Sequence, residues 1–81
     1  MSETFIKKNV KLSLEFDDYL VKHPDLFADI PNGAYIVITV NSDSRFNADS
    51  LSLIRDKRHK KVVEAHKSGT SWSIRPLQQA A

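Results

Sequence analysis

The hydrophobic pattern changes its period along the chain, and the changes mark out the elements. From Ala34 to Val40 the run Ala-Tyr-Ile-Val-Ile-Thr-Val is almost wholly apolar, opened by Asn32-Gly33 and closed by Asn41-Ser42-Asp43. Its β-branched and aromatic residues favour a pleated strand. Both sides of that strand are apolar, so it is expected to be central or parallel-paired. Residues 4–23 carry two patterns at once. Val10, Leu12, Leu14 and Phe16 alternate as in a strand. Projected at about 100° per residue, however, Phe5, Leu12, Phe16, Tyr19, Leu20 and His23 share one helical face, and Ile6, Val10, Leu14 and Val21 the next. Lys7, Lys8, Lys11, Glu15, Asp18 and Lys22 then collect on one arc, with Lys11–Glu15 and Asp18–Lys22 at helical i, i+4 spacing. The stretch is read as a helix.

The apolar arc of that helix is roughly 200° wide, about twice what one side of a small sheet needs. The excess predicts a second burial partner, and in a short chain another subunit is the natural one. The bland alternative is a half-exposed rim, which is common on helices.

His23-Pro24 ends the helix, because proline pushes the preceding residue out of the α region. Pro24 can start one further turn through Asp29, with Leu26 and Phe27 plugging the core. Ile30-Pro31-Asn32-Gly33 is turn chemistry. A second helix is expected over about 48–59, capped by Asn47 or Asp49, with Leu51, Ile54, Ala48 and Leu53 as its apolar contacts. From there two continuations compete: the helix runs on to Lys67, or it stops near His59 and a hairpin begins. The hairpin is favoured. With Ser68-Gly69 as a two-residue turn, Val63, Ala65, Trp72 and Ile74 fall on one side and Val62, Glu64, His66, Ser71, Ser73 and Arg75 on the other. Pro76 belongs at the end or edge of the last strand, and residues 77–81 form a frayed tail.

The expected fold is therefore a small two-layer α/β domain, order α-β-α-β-β, with a three-stranded mixed sheet and two helices. The strand–helix–strand unit should cross over right-handed and so pair its strands in parallel. One domain accounts for all 81 residues.

Composition narrows the setting. No cysteine is present, so neither disulfides nor thiolate metal sites contribute, and a reducing cytosol suits the chain. Nothing approaches a membrane span or a signal-peptide core, which points to a cytoplasmic protein that does not engage membranes. The net charge of +2 hides an asymmetry: residues 1–44 carry −3 and residues 45–81 carry +5. Such a split can steer one copy toward another.

Candidate chemistry is sparse. Arg55, Lys57, Arg58, Lys60 and Lys61, with Lys67 beyond them, form a basic segment that can meet phosphate backbone. The same cations complement a helix C-terminus, and no nucleic-acid-binding motif accompanies them. Glu64, His66, Ser71, Ser73 and Arg75 put acid, base, hydroxyl and cation on one strand face, yet no nucleophile–base–orienter triad is discernible. His23, His59 and His66 lack metal-ligand spacing. No catalytic residue, metal or cofactor is expected. Trp72 belongs to the core. Tyr35 suits core, an oligomer contact or base stacking.

Leu14-Glu15-Phe16, Tyr19-Leu20, His23-Pro24-Asp25-Leu26 and Ile30-Pro31-Asn32-Gly33-Ala34 together resemble a family of small uncharacterised bacterial and archaeal proteins. The resemblance covers roughly the first half of the chain and implies no established activity or site residues. Proteins of this kind often come from small operons, toxin–antitoxin pairs among them. A protein partner from the same operon, and an antitoxin-like role, are what that association implies, although the tail after Leu77 is short for a toxin-wrapping arm. The sequence thus favours a homo-oligomeric interaction or regulatory module without catalytic activity, with Ile6, Val10, Leu14, Val21 and Tyr35 at the subunit contact. The alternative is a nucleic-acid binder using residues 55–67.

Overall fold

The computed structural model describes residues 2–55 and 61–77. The elements are α1 (Glu3–Lys22), α2 (Pro24–Ala28), β1 (Tyr35–Val40), α3 (Ser44–Ser52), β2 (Val62–Ser68) and β3 (Ser71–Leu77). The mixed sheet has the order β1-β2-β3, with β1 parallel and β3 antiparallel to β2. The α/β class and the α-β-α-β-β order hold, with the turn after Pro24 adding a short third helix.

α1 starts where Ser2 accepts a hydrogen bond from the Phe5 amide at 3.1 Å, so one orphan amide of the first turn is satisfied. It ends at His23, whose amide returns to the Leu20 carbonyl. The His23 ring stacks on Tyr19 with centroids 3.8 Å apart, and its Nδ1 lies 2.9 Å from the Tyr19 carbonyl oxygen. This is the helix-finishing role expected of His23. Phe5, Leu12, Phe16 and Leu20 form the buried row of α1. They pack with Ile38, Ala65, Trp72 and Phe46, and Phe16 meets Trp72 at a centroid distance of 5.0 Å. Gly33 supplies a left-handed turn (φ 77°) just before β1.

Leu26 packs against the core as expected, but Phe27, expected to plug it too, is exposed. Three further details depart from the sequence reading. α3 begins four residues earlier than expected, because Asp43, not Asn47 or Asp49, accepts from the Phe46 amide at 3.2 Å. Phe46 and Ser50, one helical turn apart, then face inward, while Leu51 and Leu53 are exposed. Asn47 instead clasps the edge of β1: its side chain accepts from the Val40 amide at 2.7 Å and donates to the Val40 carbonyl at 2.9 Å. The helix closes at Ser52, and residues 56–59 of the expected span lie outside the described residues.

The hairpin turn is Gly69-Thr70 instead of Ser68-Gly69, with Ser68 opposite Ser71. Of the two turn residues only Gly69 takes positive φ (64°), as the first central residue of a II′ turn must. Each β3 residue therefore sits two places from its expected partner. A slip of two leaves every side chain on its expected face. It also sets Arg75 directly opposite Glu64, not Val62. Leu77, read as tail, is paired with Val62 as the last residue of β3; residues 78–81 lie outside the described residues.

The third departure is which strand is central. β1 is parallel-paired, as expected, but β2 lies in the middle of the sheet. β2 carries Glu64, His66 and Lys67, and its burial rests on the partners that those groups find.

Candidate functional site

Two surfaces collect the residues singled out by sequence. The first is the outer side of α1. Ile6, Val10, Leu14 and Val21 are 50, 54, 65 and 82% exposed, and at helical spacing they fall within about 80° of one another. They form a stripe about 22 Å long at a rise of about 1.5 Å per residue, adjoining the buried row. Charge along the helix is uneven: Lys7, Lys8 and Lys11 lie in the first half, and Glu15, Asp17 and Asp18 in the second. Two exposed pairs, Lys7–Glu3 at 3.1 Å and Lys22–Asp18 at 3.0 Å, follow i, i+4 spacing and contribute little to stability. Tyr35 is exposed and lines a cavity of about 120 Å3 together with Asn9 and Ser13 of α1, Ile36, Leu53 and Ile54.

The second surface is the sheet face turned away from the α1 core, where sequence had placed Glu64, His66, Ser71, Ser73 and Arg75. Glu64 is buried. Arg75 donates to it through Nε at 2.8 Å and Nη2 at 3.2 Å. Thr39, on β1, donates its hydroxyl to Glu64 Oε2 at 2.5 Å. Arg75 foremost, and Thr39 with it, hold the Glu64 carboxyl below its ordinary pKa against the upward push of burial. Glu64 in turn raises that of Arg75.

A proton count fixes His66. Thr39 has one hydroxyl proton, and Glu64 takes it. The 2.7 Å contact between Thr39 Oγ1 and His66 Nδ1 must then be donated by the ring. Neutral His66 then carries its proton on Nδ1 and its lone pair on Nε2. This is a base held in one orientation by a hydroxyl relay. Ser73 stands opposite His66 across the hairpin. The sequence missed Thr39, since only the parallel register Val37↔Glu64 and Thr39↔His66 brings it here.

Arg55 and Lys61 are exposed, Lys67 reaches Glu15 at 2.8 and 3.1 Å, and Lys57, Arg58 and Lys60 lie outside the described residues. Among the described residues, no three His, Asp or Glu side chains group as a metal site. Nor is any helix among them long and apolar enough to cross a membrane.

Fold and surfaces define a small two-layer α/β domain with an uncovered helical stripe and a structured polar sheet face. Residues 4–65 match the Family of unknown function (DUF5647), and the chain belongs to that family. The matched span contains the whole stripe and Tyr35; it takes in Thr39 and Glu64 but stops short of His66 and Arg75. No curated protein and no solved structure matches the chain.

Proposed function

We propose that this protein is a cytosolic interaction module, without catalytic activity of its own, that self-associates through the outer side of α1. The observation that carries the reading is the exposed stripe of Ile6, Val10, Leu14 and Val21. Charge selects the occupant. An antiparallel two-fold pairing of α1 with α1 sets the lysine-rich first half of each helix against the acidic second half of the other. Such an isologous contact is the commonest route to a dimer, and burying aliphatic side chains supplies its driving force. Tyr35 lies at the margin of this contact.

Native mass spectrometry and light scattering on protein purified without nuclease test the proposal. A discrete dimer is expected for the wild type, and a monomer for the Val10→Glu/Val21→Glu double variant. Both positions are exposed, so the variant should keep its helical spectrum. A monomeric wild type, or a double variant that stays dimeric, overturns the assignment.

A further inference from the structure

We propose that the groove between the first half of α1 and the carboxyl ends of β1 and β2 binds a small anionic ligand carrying two or more phosphates. The groove has a volume of about 630 Å3, inside the range of about 300–1,000 Å3 typical of small-molecule sites. Lys7, Lys8 and Lys11 of α1 line one wall and Lys67 of β2 the other, with Leu12 and Val40 between them and Glu15 at the rim. The location follows from topology. β1 and β2 are parallel, so both bring their carboxyl ends, at Val40 and Lys67, to one edge of the sheet. Ligand crevices of α/β units lie outside that edge, where chain segments diverge from the strand ends.

The cations differ in how they are held. Lys8 is paired with Asp43, and its Nζ sits 5.2 Å from the centroid of the Phe46 ring. Lys67 is bound by Glu15, and its Nζ lies 6.0 Å from the centroid of Trp72. Lys7 and Lys11 stand on the exposed side of α1, where Lys7 pairs with Glu3 at 3.1 Å in full view of solvent. Lys8 and Lys67 are thus anchored, while Lys11, and Lys7 once it leaves its screened surface pair, can follow a ligand. A lysine ammonium is a compact point charge that donates to phosphate oxygens in many directions. Cations on two opposing walls suit a ligand with charge at two points better than a single phosphate. The apolar floor between them accepts the uncharged part of the molecule.

Glu15 decides the affinity. It neutralises Lys67 and faces any incoming anion, so the groove carries its own competitor. Removing that charge should tighten binding, which a purely structural role for the Glu15–Lys67 pair does not predict.

The test is a titration of 15N-labelled protein with pyrophosphate, ATP and orthophosphate at fixed ionic strength. Saturable shifts are expected at the amides of residues 7–11, Asn41, Lys67 and Gly69, with orthophosphate the weakest of the three. Equal affinity for pyrophosphate and ATP assigns the phosphates as the recognised part; tighter ATP adds a nucleoside contact. Glu15→Gln should bind about threefold more tightly or better, and Lys11→Ala about threefold more weakly, the size expected for screened single charges. Asp29→Asn removes the same charge from an exposed position outside the groove and off α1 and should change nothing. Both altered side chains in the groove are exposed, and the amide spectra of the free variants verify their fold. The assignment fails if no probe saturates in the millimolar range, or if shifts are as large at Lys22 and Lys61. It fails if Asp29→Asn tightens binding as much as Glu15→Gln. A single-stranded RNA that binds more tightly than ATP with a steep salt slope also overturns it, in favour of nucleic acid.

Discussion

On the face of the sheet that meets α1, Ile38, Ala65 and Trp72 lie among Phe5, Leu12, Phe16 and Leu20. On the reverse face, one strand position along, Thr39, Glu64, His66 and Arg75 are joined by hydrogen bonds and charge. The first arrangement works through area and close packing, which are non-directional and indifferent to pH. The second depends on the position of each proton and on Glu64 staying ionised. The same three strands therefore carry a permanent attachment on one side and a conditional one on the other. The central strand β2 belongs to both, since Ala65 points one way and Glu64 the other.

Breaking the apolar side should have the largest effect. Phe16→Ala removes a ring packed on Trp72 and should cost about 3–5 kcal/mol, close to the whole stability expected for a domain of this size. Urea unfolding should show a collapsed midpoint or an unfolded chain at every pH. A midpoint close to wild type would remove Phe16 from the centre of the core.

The polar side should yield less, and its yield should depend on pH. Glu64→Gln is expected to cost about 1–3 kcal/mol at neutral pH. Because the folded state lowers the pKa of Glu64, its contribution is complete above the unfolded value. It is lost as pH falls through the folded value. Thermal melts should therefore converge for wild type and Glu64→Gln below the ordinary carboxylate range, and separate above it. Parallel curves throughout would exclude Glu64 from the acid limb. Thr39→Val keeps the shape and deletes the relay hydroxyl, at about 1 kcal/mol. Its sharper readout is the His66 ring: long-range 15N spectra should show the Nδ1–H tautomer in the wild type and a mixture in the variant. The exposed Val10→Glu and Val21→Glu changes should shift monomer stability by no more than about 0.5 kcal/mol, so a change of mass there reports association alone.

Much of this was legible in the sequence, for reasons that can be named. The charged arc on α1 could form only if the stretch were helical, so it defined the helix and separated Phe5, Leu12, Phe16 and Leu20 from the outer stripe. Residues 34–40 announced a strand because no other run is continuously apolar. That strand's edge position was hidden, because apolar residues on both sides read as centrality. Phe46 was passed over because it sits among polar residues, and only the Asp43 cap turns that segment into a helix. The hairpin faces survived a mistaken turn because the slip was even. The pairing of Glu64 with Arg75 did not, since partner identity depends on register and face identity only on parity. Thr39 was illegible because a parallel pairing across 25 residues has no local signature. The groove lysines were visible singly, as a solvated helix face, and became a site only when β2 brought Lys67 opposite them.

The contact of Phe16 with Trp72 has a consequence for how the chain is made. Trp72 lies in the last strand, so as the ribosome extends the chain the buried row of α1 emerges first and waits for its cover. At a synthesis rate of about 5–20 residues per second, the wait lasts a few seconds. During that time Phe5, Leu12, Phe16 and Leu20 lie beside the outer stripe as one broad greasy band. A nascent α1 is then a better substrate for a chaperone, or for another nascent copy, than the finished domain. Release of β3 from the ribosomal tunnel becomes the event that commits the chain to its fold.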